Sequence, residues 1–190
     1  MPACAKPAEA FGLLFLLSFF AIAGCGERAS GKHFELQQVT TRWLNGNLNA
    51  TLHQNLTLSS EARDALVHGV PLTVQMELLI RNKINQARVQ GKLESYEIRY
   101  LPLSEHYQLT PAAGETRTFR RLRHLLADLS TVNMNISTGV LPEGEYELLA
   151  RTRLDKQKLP PPMRLPILIS SEWRHDSDWS AWPLVAQPRA

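Results

Sequence analysis

Apolar residues recur at every second position through most of the chain, the periodicity of strands that bury one face. Leu48, Ala50, Leu52, Leu56 and Leu58 share one phase, and Leu72, Val74, Met76, Leu78 and Ile80 alternate against Thr73, Gln75, Glu77 and Arg81. Tyr96, Ile98 and Tyr100 continue the pattern, as do Tyr107 with Leu109, then Tyr146, Leu148 and Ala150, then Met163, Leu165, Ile167 and Ile169. With Phe34 to Val39 added, the spacing predicts about seven or eight strands. Turn residues fall where those strands must end, at Asn45-Gly46, Gly69 with Pro71, Gly91, Pro111 with Gly114, and Pro142-Glu143-Gly144. Strands spaced this way without regularly intervening helices predict a mainly β fold, an antiparallel immunoglobulin-like β-sandwich, and argue against a βαβ sheet. Leu159-Pro160-Pro161-Pro162 has too few ladder donors for a central strand and reads as a polyproline-like connection or an edge.

Two amphipathic helices, one short and one longer, are expected to interrupt the sheet. Ser60 is placed to cap the short one, over Glu61 to His68, with Gly69 ending it. In the longer one Phe119, Leu122, Leu125, Leu126 and Leu129 occupy one arc, and Arg120, Arg121, Arg123 and His124 lie on the other side. That basic side is a candidate binding patch for phospholipid, lipopolysaccharide or an acidic partner; a solvated outer face is the alternative reading. The run from Leu141 to Leu148 has the spacing of a tyrosine corner, in which Tyr146 bonds back to the preceding loop, or of an ordinary turn and strand. Trp173, Trp179 and Trp182 gather in a polar C-terminal segment, as a candidate lid over the core or an aromatic binding surface.

Ahead of the alternating pattern, Phe11 to Ala23 is an apolar run broken only by Ser18 and preceded by Lys6. It is shorter than the roughly 20 residues that cross a bilayer and suits a signal-peptide h-region. Ile22-Ala23-Gly24-Cys25 follows at once, the small-residue pattern read by bacterial lipoprotein processing. The Cys25 thiol would take a diacylglycerol, and two or three acyl chains at about 0.8 kcal/mol per buried CH₂ hold a protein firmly on a membrane. Ordinary cleavage near Ala23 or Gly24 is the alternative. Gly26, standing where an Asp would direct inner-membrane retention, favours the outer membrane. The expected organisation is a signal peptide with lipobox over residues 1–25, a tether over 26–33, and a single domain over 34–190.

Composition narrows the chemistry. Of the two cysteines, Cys4 lies in the discarded segment, so the mature chain has no internal disulfide and no thiolate metal site. The formal charge of +3 is unchanged by the loss of Lys6 and Glu9, and a pI near 9 suits an anionic lipid surface. An envelope location argues against nucleic acid. There is no nucleophile elbow, paired-histidine zinc motif, phosphate-binding loop or dinucleotide turn. His33, His53, His68, His106, His124 and His175 are scattered. Glu105 and His106 would point to opposite faces of a strand, and the run from His175 to Asp178 reads as solvated loop. No catalytic residue, metal or cofactor is expected, and the residues point to a binding module, not an enzyme. The sequons at Asn49, Asn55 and Asn135 are incidental in a bacterial export.

One family resemblance emerges from residues in order along the chain: Leu103 through Tyr107 to Leu109, the basic amphipathic helix, Tyr146 to Leu154-Asp155, Leu159-Pro160, then Trp173, Trp179-Ser180 and Trp182. Over roughly Phe34 to Leu184 the chain resembles the proteobacterial exported family called domain of unknown function 4390. Members are small exported proteins often encoded near a nitrogen-regulation-type sensor kinase, and they offer no catalytic residue to carry over. The resemblance implies a periplasmic module with an envelope protein partner, as a sensory accessory to such a kinase or as an assembly accessory of the envelope.

Overall fold

The computed structural model describes residues 32–139 and 141–184. The expected signal peptide, its lipobox with Cys25, and most of the tether lie outside the described residues.

Strands β1 (Phe34–Leu44) and β2 (Asn47–Leu56) form a hairpin joined by Asn45 and Gly46. Both loop residues take positive φ, 50° and 75°, the primed turn whose twist matches that of the strands it joins. Strand β7 (Thr131–Ser137) pairs on the other side of β2, completing a three-stranded sheet in the order β1-β2-β7. The second sheet holds β3 (Leu72–Asn82), β4 (Arg88–Leu101), β5 (His106–Pro111), β6 (Arg117–Phe119), β8 (Tyr146–Leu154) and β9 (Ser180–Pro183), in the order β6-β5-β4-β3-β8-β9. Every pairing is antiparallel. The fold is mainly β.

The inward faces of the two sheets share one core. Leu48, Ala50 and Leu52 of β2 and Val132, Met134 and Ile136 of β7 meet Val74, Met76, Leu78 and Ile80 of β3, Ile98 of β4 and Leu148 of β8. Each such Leu or Ile contributes about 1.5 to 3 kcal/mol by leaving water. Gln54 sits in the inward phase of β2, and it is fully bonded. Thr152 Oγ1 on β8 donates to Gln54 Oε1 at 2.6 Å, and Gln54 Nε2 donates to the Leu129 carbonyl at 2.8 Å. This amide ties one sheet to the other through groups that would be costly to bury unpaired.

Helix α1 (Ser60–Val67) is capped by Ser59 instead of Ser60: its Oγ accepts from the Ala62 N–H at 3.2 Å. Gly69, at φ 90°, closes the helix, its N–H donating to the Leu66 carbonyl. Helix α2 (Leu122–Asp128) is shorter than the apolar arc predicts, because Phe119 pairs with Tyr107 in β6 and Arg121 is extended. The expected strand from Met163 to Ile169 is instead helix α3 (Pro161–Ile169). Pro161 is at home in the first turn, where no N–H is required and its φ is already helical. Four apolar residues at every second position also give two i, i+4 pairs, so the pattern alone does not separate strand from helix. Gly91 is likewise no strand end but lies within β4, opposite Leu79. The turn falls at residues 83–87, where Asn82 Oδ1 accepts from the Ile84 and Asn85 N–H groups and Asn85 Oδ1 from that of Ala87. Asparagine side chains do there what glycine was expected to do.

Candidate functional site

Where β2 ends, the chain turns through Leu58 into α1, and α2 packs beside that turn. A cleft of about 490 Å³ opens between residues 55–58, α1 and α2. Leu56 and Leu58 form its buried floor, half-buried Leu122 and Leu126 its wall, and exposed Arg63 and Arg123 stand at its rim. Fully buried Leu125 and Leu129 root α2 in the core. None of the lining residues is acidic. Asp128, the acid at the end of α2, is engaged by Arg117, whose Nη1 lies 2.8 Å from Oδ1 and 2.7 Å from Oδ2.

The four basic residues singled out in the sequence do not share one helix face. Arg120 and Arg121 lie on the extended turn between β6 and α2, whereas Arg123 and His124 are in the first turn of the helix. All four are exposed, and Arg123 Nε sits 3.3 Å from His124 Nε2. Arg63, Arg120 and Arg121 form no ion pair among the described residues. Arg123 alone of the four lines the cleft, and Arg63, which no sequence motif marks, completes its rim from the other side. The result is an apolar trough with positive charge at both lips. It suits a ligand with an apolar stretch and an anionic group.

The C-terminal segment is tied to the first turn of α1. Trp173 is buried, and its Nε1 donates to Glu61 Oε2 at 2.8 Å. Trp182, in β9 opposite Leu148, packs on the core, while Trp179 is exposed with the Arg151 guanidinium 5.8 Å from its ring. His175 is not solvated, contrary to expectation; it is only 1% exposed. Its Nε2 accepts from the Ser59 N–H at 3.0 Å, its ring stacks on His33 at 4.6 Å, and Phe34 meets its edge at 5.3 Å. Burial, aided by the neighbouring His33, pushes its pKa from 6.5 down to about 4. The ring is therefore neutral near pH 7, with its proton on Nδ1. Burial raises the Asp176 carboxyl, but the hydrogen bonds from Arg151 and the Asp178 N–H, together with the Arg151 and Arg153 charges, outweigh this and hold it below its ordinary value. Arg151 Nε lies 2.8 Å from Asp176 Oδ1, and Nη2 engages Oδ2. Tyr146 Oη donates to the Pro142 carbonyl at 3.1 Å, the bond of a tyrosine corner. Glu105 lies in the turn before β5, and His106 Nδ1 contacts the Ser104 carbonyl. Among the described residues no group of three His, Cys, Asp or Glu side chains is placed to hold a metal, and no helix is long and apolar enough to cross a membrane.

Two antiparallel sheets around one core, with a basic-rimmed cleft beside them, define a mainly β protein. The model of the family described as domain of unknown function (DUF4390) matches residues 31–183, and the chain belongs to that family. Comparison with curated proteins and with solved structures found no match.

Proposed function

We propose that this chain is an exported, lipid-anchored periplasmic binding module that receives an anionic, partly apolar segment of an envelope protein in the cleft between α1 and α2. The observation that carries the reading is the pairing of Arg63 with Arg123 across an apolar floor that no acid lines. The Ile22 to Cys25 motif supports lipid anchoring and Gly26 after it supports the outer membrane, and the family's setting makes the periplasmic face of a sensor kinase the first partner to test.

An immunoglobulin-like sandwich is the scaffold this reading takes. In such sandwiches the first, second and fifth strands share a sheet, the third pairs with the sixth, the seventh lies beyond the sixth, and a tyrosine corner opens the sixth. The order β1-β2-β7 against β4-β3-β8-β9, with Tyr146 at the start of β8, supports that correspondence.

Native pull-down from envelope fractions tests the binding reading. The wild-type chain should recover one defined partner, and Arg63→Gln with Arg123→Gln should lose it while keeping the wild-type melting temperature. Equal recovery by the double variant removes the cleft from the account, and recovery of one large complex favours an assembly accessory.

A further inference from the structure

Helix α3 is apolar on two opposite sides. Met163 and Ile167 form one i, i+4 pair, and they face the body of the protein: Ile167 is 3% exposed and Met163 packs against the core. Leu165 and Ile169 form the other pair, about 200° around the helix at 100° per residue, and they are 76% and 89% exposed. A helix apolar all round is ordinarily buried all round. Leaving two large aliphatic side chains in water on adjacent turns is unfavourable unless something covers them.

The surrounding charge says what does. From Lys156 to Arg174 the chain carries four basic residues, Lys156, Lys158, Arg164 and Arg174, against the single acid Glu172. Lys156 and Lys158 belong to the turn before α3 and Arg174 caps the turn after it, and α3 packs on both turns. Arg164, on the helix, has its Nε held by the Leu159 carbonyl at 2.9 Å. A ridge of two side chains is far too small for a stable protein interface, which buries roughly 1,200 Å² or more in total. It is the right size for shallow insertion between lipid headgroups, where a few aliphatic side chains enter the acyl boundary and basic residues meet anionic lipid.

We propose that α3 is a membrane-docking element, inserting Leu165 and Ile169 into an anionic lipid surface that the flanking basic residues recognise. Membrane contact through α3 does not depend on the α1 and α2 cleft, and it would orient the domain on its membrane.

A single probe at the ridge tests this. Because Cys4 and Cys25 are the only cysteines, the full chain with Cys4→Ser, Cys25→Ser and Ile169→Cys takes a polarity-sensitive dye at one place. Vesicles containing phosphatidylglycerol should shift its emission to the blue and raise its intensity, whereas phosphatidylcholine vesicles should not, and salt should reverse the change. Adding Leu165→Ser should weaken the response at least about tenfold. Both positions are exposed, so an unchanged urea midpoint is expected and verifies the fold. The dye reports its own surroundings, not attachment elsewhere on the chain. No shift with phosphatidylglycerol vesicles overturns the proposal. So does a shift that grows with protein concentration in the absence of vesicles, which assigns the ridge to a second copy of the chain.

Discussion

Lowering the pH from 7 to 5 should cost the folded chain about 2 kcal/mol through His175 alone. The imidazole titrates at 6.5 when free and at about 4 in place. Between those values the unfolded state binds one proton more than the folded state, so stability rises with pH across the window and falls as the medium is acidified. The contribution is nearly complete at pH 7 and continues to fall toward pH 4, where it approaches about 3 kcal/mol of loss at 1.36 kcal/mol per unit. The physical cause is burial. A charged ring would lose the bond that Nε2 accepts from the Ser59 N–H and would stand against His33 in a pocket with almost no water. The assay is urea unfolding followed by tryptophan fluorescence at several pH values, beside His175→Gln, which keeps an acceptor for Ser59 but does not titrate. The variant should be less stable at pH 7 and should lack most of the wild-type decline between pH 6.5 and 4. If wild type and variant lose stability in parallel over that range, His175 is not the titrating group and the reasoning fails.

Removing the amide of Gln54 should expose its importance in joining the sheets. Gln54→Leu leaves Thr152 Oγ1 and the Leu129 carbonyl buried without partners, so a loss of about 1 to 3 kcal/mol in the urea midpoint analysis is expected; an unchanged midpoint would show that water replaces the amide. Cys25→Ser should abolish incorporation of a palmitate analogue and release the chain from membranes with its fold intact, and absence of any Cys25-dependent label in wild type would refute lipidation.

The central strands were legible because apolar and polar residues alternate along them, even where, as at Thr73 and Gln75 of β3, the polar positions are buried too. In β3, Leu72, Val74, Met76, Leu78 and Ile80 are all buried as the alternation predicts. Strand β7 has the same alternation in Val132, Met134 and Ile136, with Thr131, Asn133, Asn135 and Ser137 exposed, yet it follows α2 after so short a turn that the helical arc ending at Leu129 masks its start. The helix at 161–169 was hidden by its own composition, since an element with apolar residues on both sides has no polar phase to set its period. The candidate site was half visible. Arg123 stood out in a basic cluster, but Arg63 comes to the opposite rim of the cleft only in the folded chain, a placement that no spacing along the chain encodes. The burial of His175 is hidden in the sequence for the same reason: its immediate neighbours Arg174, Asp176 and Ser177 are polar, and its neighbours in space, His33, Phe34 and Ser59, come from the far end of the chain.

The most direct test of the account is site-specific photo-crosslinking in living cells, with a photoreactive residue at Leu126 inside the cleft and, as a control, at exposed Trp179. The account predicts one discrete adduct from Leu126, none from Trp179, and loss of the Leu126 adduct when Arg63→Gln is added. Equal labelling from both positions, or a Leu126 adduct indifferent to Arg63→Gln, would contradict a cleft that selects its partner by charge.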